Sequence, residues 1–320
     1  MKARWVGPAL AGLVLVGCGL AVAAYSDDAL PGYAGEPGVP RVKSERDLPE
    51  LPLKRQGLSD RDYERMASAE AHLVRKCMRS FGFADFPLHP GLGAPMSEHV
   101  TMTAVAVSPY GLFDGGQARR WGYGFAPHRG EAWGTGAEPK GRVPTRREDQ
   151  VLHGFGAGSG GKAVVRGREV PEGGCAAEGA RRLTEGVSDQ DRLSEYVSRR
   201  SQEIDRAVAK DERVRRAFRD WSRCVEGKGF KEYESPVAAF HDKAWRAGRE
   251  DGNTARTKQE LGTAVADVAC KRKLNTVGVW WAVADEKQRA DIRGHKAEYA
   301  AAREDRDRVR ATIREVLGEK

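Results

Sequence analysis

Residues Gly156 to Lys162 satisfy the first seven positions of a phosphate-binding loop, whose backbone amides would cradle phosphates while the lysine reaches them. The eighth position fails, because Ala163 stands where Ser or Thr must meet magnesium. The same stretch approaches a nucleophile elbow at Ser159, with Ala157 in place of the first glycine and no strand before it. Both patterns read as a glycine-rich loop. Histidines 72, 89, 99, 128, 153, 241 and 295 are scattered, and His241 with Asp242 is an adjacent pair of the kind that could do acid-base work. Neighbours on a helix do not face each other, so that pair reads as surface capping. Among 46 acidic residues, the paired carboxylates of a glycoside hydrolase cannot be picked out by spacing. No catalytic, cofactor-binding or metal-ligating set is assigned.

The cysteines are more informative. Lys2 and Arg4 precede an apolar run from Trp5 to Tyr25, and Ser26, Asp27 and Asp28 follow it. This is an export pattern, which places the rest of the chain outside the cytoplasm. Three fates fit residues 1–25. Leu15-Val16-Gly17-Cys18 makes a lipobox with Cys18 as the lipidation candidate, Ala21-Val22-Ala23 offers a signal cleavage site, and the run is long enough to remain as an anchor. Outside the cytoplasm thiols are oxidised, and Cys77, Cys175, Cys224 and Cys270 form an even set without any C-x-x-C spacing. Disulfides are expected, and zinc is disfavoured.

Four cysteines allow three pairings. An internal repeat selects among them: Cys77 to Phe86 and Cys224 to Tyr233 both obey C-x4-G-F-x-x-[F/Y]. Each copy ends a helical stretch, and each is followed by one further cysteine. The economical pairing is Cys77 with Cys175 and Cys224 with Cys270. Loops of this size would stabilise by about 4–5 kcal/mol each on chain-entropy grounds. The glycine and aromatic after each cysteine read as helix termination and core packing rather than a ligand site.

The two C-x4-G-F segments, Tyr110 to Asp114 leading to Ala118 to Tyr123, and Ala264 to Cys270 resemble a group of exported, lipoprotein-like proteins of actinomycetes over roughly residues 58 to 290. The resemblance implies export and disulfides and brings no activity with it.

The remaining elements follow from periodicity. Residues 26–57 hold five prolines and read as an extended tether of up to about 100 Å at ~3.1 Å per residue. A first cysteine half is expected over 58–187 and a second, helical one over 188–320. Ser59 caps the first helix, on a stripe of Tyr63, Met66, Leu73, Val74, Cys77 and Met78. Residues 91–174 contain 19 of the 38 glycines and read as a long irregular insertion, with a short strand at Val100 to Val107 and a short helix from Asp114 to Trp121. Ser188 to Asp191, Asp211 and Thr257 to Glu260 start further helices, and one last helix runs from Gly278 to Leu317.

Length and composition are consistent with these elements. A chain of 320 residues with 40% hydrophobic residues can bury a core, and 31% charged residues exclude a multi-span membrane protein. With Lys2 and Arg4 set aside from the 54 basic residues, the rest exceed the 46 acidic ones by about six. Anionic cell-wall polymers or lipid headgroups would attract such a surface, while nucleic acid is disfavoured because no basic stripe is interleaved with aromatics. The expectation is a mainly α, disulfide-stapled binding or structural protein of the cell envelope, tethered or secreted. The alternative is a secreted or anchored hydrolase of wall material.

Overall fold

Short polar residues set the helix starts. In the computed structural model, which describes residues 30–90, 108–125, 141–155, 163–247 and 253–319, Ser59 opens α1 (Asp60–Ser80). Its hydroxyl accepts from Asp62 N at 3.2 Å, and the Asp62 carboxylate accepts from Ser59 N at 2.8 Å. Asp114 caps α2 (Gly115–Trp121), Thr145 caps α3 (Arg146–His153), and Asp211 caps α6 (Glu212–Glu226). Between these lie the two-residue strands β1 (Val164–Val165) and β2 (Arg168–Glu169), α4 (Gly174–Leu183) and α5 (Val197–Ala209). The chain closes with α7 (Pro236–Phe240), α8 (Lys258–Leu274), α9 (Thr276–Gly294) and α10 (Lys296–Leu317). The protein is mainly helical, as its sequence predicts.

The repeated motif is a repeated helix terminator. Gly82 and Gly229 both take the left-handed conformation, at φ of +83° and +85°. The next amide then folds back, Phe83 N donating to Met78 O at 3.2 Å and Phe230 N to Val225 O at 3.4 Å. Glycine is needed there because a side chain would strain that conformation. The cysteine inside each terminator is bridged as the repeat suggests: Cys77 joins Cys175, tying α1 to α4, and Cys224 joins Cys270, tying α6 to α8. Apolar clusters surround both bridges. Val74, Met78, Phe86, Val151 and Leu152 pack near the first, and Trp221, Val225, Tyr233, Phe240 and Val268 near the second.

Several expectations are corrected. Residues 30–57 are not an extended tether, since Ala34, Val42 and Leu53 are buried against the helices. Asn275, in the left-handed link between α8 and α9, accepts from Val42 N and donates to Ala34 O and Pro40 O, all at 3.0 Å. Leu53 N likewise donates to Gln288 Oε1 at 2.9 Å. A proline-rich strand forms few hydrogen bonds with itself, so its free backbone groups are available to such side chains. The glycine-rich insertion is more regular than expected, for its described parts hold α2, α3 and the β1–β2 hairpin. The last long helix is two helices. It breaks at Gly294 and His295, where α9 stops and α10 turns back onto α1, seating Val309 and Ile313 against Ala69 and Leu183.

The halves also interleave. Alongside α10 on α1, α2 from the first half packs on α8 of the second. Tyr63 points to solvent at 52% exposure, which breaks the expected α1 stripe. Ser188 is drawn away from capping. Its amide and hydroxyl both donate to Asp305 at 2.9 Å, and Asp189 accepts from Arg192 N instead. The Val100 to Val107 strand lies outside the described residues.

Candidate functional site

Helix α8 positions both features that stand out. Its inner face carries Asp267 and Lys271, spaced one turn apart and wholly buried, with Nζ 2.8 Å from Oδ1. Trp221 Nε1 of α6 donates to Asp267 Oδ1 at 2.9 Å, and the Tyr123 hydroxyl, just past α2, donates to Oδ2 at 3.2 Å. Lys271 also donates to Leu112 O at 2.6 Å. Burial pushes the Asp267 carboxyl up and the Lys271 amine down, while their mutual attraction and the Trp221 and Tyr123 donors act on Asp267 in the opposite sense. Two turns before Asp267, Glu260 accepts from Tyr123 N at 3.1 Å and Arg256 N at 2.8 Å. Thr257 caps α8 as expected, but the glutamate of its T-x-x-E pattern is turned to these longer-range donors. The network clasps α2, α6 and α8 together.

The opposite face of α8 looks out on a groove of about 480 Å³. Leu261, Val265 and Ala269, at steps of four, line it with Gly262, Ala266 and Phe230. Val265 is 41% exposed. Gly262 is required by Phe230, whose ring would stand 2.9 Å from a Cβ at that position. Arg119 and Lys228 form the rim, and among the described residues no carboxylate lines the groove and neither cation has a salt bridge.

A second groove, of about 360 Å³, is lined by Glu50, Pro52, Arg55, Gln56, Arg289, Ile292 and Arg293. Two of its three guanidiniums are already neutralised, Arg55 by Glu50 and Arg289 by Asp285, each at 2.8 Å. Glu50 would in addition repel an anion there.

The structure disperses the other sequence candidates. Cys18, Ser159 and the Gly156 to Lys162 loop lie outside the described residues. Asp242 does not orient His241, because its carboxylate accepts from Lys231 Nζ at 2.8 Å, Ala244 N at 3.0 Å and the Tyr233 hydroxyl at 3.2 Å. Among the described residues no three His, Cys, Asp or Glu side chains group as metal ligands. On the basic face of α6, Arg213 pairs with Asp211 and Glu286 and Arg219 with Glu212, Arg216 lies over the Tyr33 ring, and Arg215 has no salt bridge among the described residues. Asp205 on α5 is raised to about 6 by burial, yet lines neither groove. Sequence reasoning assigned Phe230 to packing alone and read Val265 only as one of the apolar residues of the helix that Thr257 starts. An apolar residue at every fourth place on a helix already buried on its other side was the available signal.

No protein-family model matches the chain, and comparison with curated proteins and with solved structures returns no match.

Proposed function

We propose that the chain is a binding protein of the cell envelope, tethered to the membrane or secreted, which holds an anionic partner without transforming it. The observation that carries this reading is the α8 groove, an open apolar surface whose described lining holds two cations, Arg119 and Lys228, and no acid-base pair. The two disulfides fit an oxidising, extracytoplasmic compartment. No described helix is long and apolar enough to cross a membrane. Attachment is therefore assigned to residues 1–25, with Cys18 as the lipidation candidate, in keeping with the resemblance to exported actinomycete proteins. Anionic cell-wall polymers and lipid headgroups are the partner classes that the surplus positive charge would attract.

Co-sedimentation of the purified full chain with isolated cell walls, and with vesicles containing or lacking phosphatidylglycerol, tests the reading. Binding that weakens as salt rises supports it, because exposed charges are screened over ~8 Å at physiological ionic strength. Release of soluble wall fragments by the pure protein would replace it with the hydrolase.

A further inference from the structure

The floor of the α8 groove and its rim make different demands on a ligand. Leu261, Val265, Ala266, Ala269 and the Phe230 ring offer no side-chain donor or acceptor, and the amides of α8 are bonded within the helix. A peptide backbone laid on that floor would bring polar groups with nothing to bond, at about 1–3 kcal/mol for each one left unsatisfied. An alkyl chain brings none. The rim then selects the sign of the head, since Arg119 and Lys228 have no acid partner among the described residues and favour a negative one. Size points the same way. A groove of about 480 Å³ is in the range of small-ligand sites.

The internal repeat supplies a control. In the first copy the aromatic after the glycine is covered, with the Arg166 guanidinium 5.6 Å from the Phe83 ring centroid and its Nη1 donating to Gly82 O. In the second copy no described cation stacks on Phe230, which lies on Gly262 and lines the groove. Both rings are half-buried, and the guanidinium contact on Phe83 is what separates the two copies.

We propose that this groove takes one alkyl chain of an anionic membrane lipid, with the head held between Arg119 and Lys228. The proposal rests on the envelope-binding reading and assigns it a site and a ligand class.

The test uses the purified full chain in phosphatidylcholine nanodiscs doped with a phosphatidylglycerol that carries a photoreactive diazirine in its acyl chain. Peptide mass spectrometry then locates the label. Label concentrated on residues 258–274 and at Phe230 is expected, with little from the matching phosphatidylcholine probe. Val265→Asp, which sets a carboxylate on the exposed floor, should lower that label about tenfold, as should Arg119→Gln with Lys228→Gln. Ala269→Leu fills the groove without adding charge and should act likewise, so that a folding defect in the aspartate variant does not decide the matter. Label spread evenly along the chain, or unchanged in these variants, overturns the proposal. If vesicle and wall binding persist while α8 stays unlabelled, the groove assignment falls and the envelope-binding reading stands. Absence of both removes both.

Discussion

Lys271 Nζ stands 2.8 Å from Asp267 Oδ1 on the same helix, and neither side chain reaches solvent. A buried pair of this kind is dangerous to halve. Lys271→Met leaves a buried carboxylate without its cation and is expected to lose about 3–5 kcal/mol in denaturant unfolding. Asp267→Asn combined with Lys271→Met should recover most of that loss, because amide and thioether need no counter-charge. A single variant as stable as the native chain would show that the clasp is not required.

A carboxylate at the start of α3 makes acid sensitivity specific. Hydrogen bonds from Arg142, at 2.6 and 2.7 Å, and from the Thr145 amide hold Glu148 down at about 2 from an ordinary value of 4.5. The folded state therefore favours the ionised form. Its contribution is complete above about pH 4.5 and fades as pH falls toward 2. Glu148→Gln should lose about 1–2 kcal/mol at neutral pH, a loss that shrinks as pH falls and vanishes only below about 2. A pH-independent difference between the two unfolding curves would contradict this.

Asp205 has the opposite sign. Burial raises it from 3.8 to about 6, so the folded chain retains a proton that the unfolded chain gives up. Stability from this group is greatest at low pH and declines as pH rises through that interval. Asp205→Asn should stabilise the fold at pH 7.5 by about 1–2 kcal/mol once partial solvent screening is allowed for, read as a higher thermal midpoint, and have little effect near pH 3.5. An unchanged midpoint at the higher pH would refute it.

Attachment through Cys18 has a direct readout. Cys18→Ala is expected to release the protein from the membrane fraction or to block its maturation. Unchanged membrane retention together with unchanged gel mobility would favour an uncleaved apolar anchor.

Local features were the legible ones. The caps at Ser59, Asp114, Asp211 and Thr257 depend on a few adjacent residues, and so does the terminator around Gly82 and Gly229. The repeat also carried the cysteine pairing. What escaped was long-range. Val42 in a proline-rich stretch is buried by Asn275, which lies 233 positions away, and no periodicity encodes that contact. Glu260 reads as half of a capping box until Tyr123 N and Arg256 N compete for it. The α8 groove was hidden because burial on the Asp267 face and exposure at Val265 are indistinguishable in a helix apolar on several sides.

The order of the bridges has a consequence for how the chain is made. Cys77 closes with Cys175 and Cys224 with Cys270, so each pair is complete before the next begins. In a chain exported N-terminus first into an oxidising space, as proposed, Cys77 and Cys224 would each meet its correct partner as the next cysteine to appear. Oxidation in order of arrival then yields the native connectivity without reshuffling by an isomerase. The second staple forms ahead of α9 and α10, and α10 arrives last to lie over a helix already fixed at its far end.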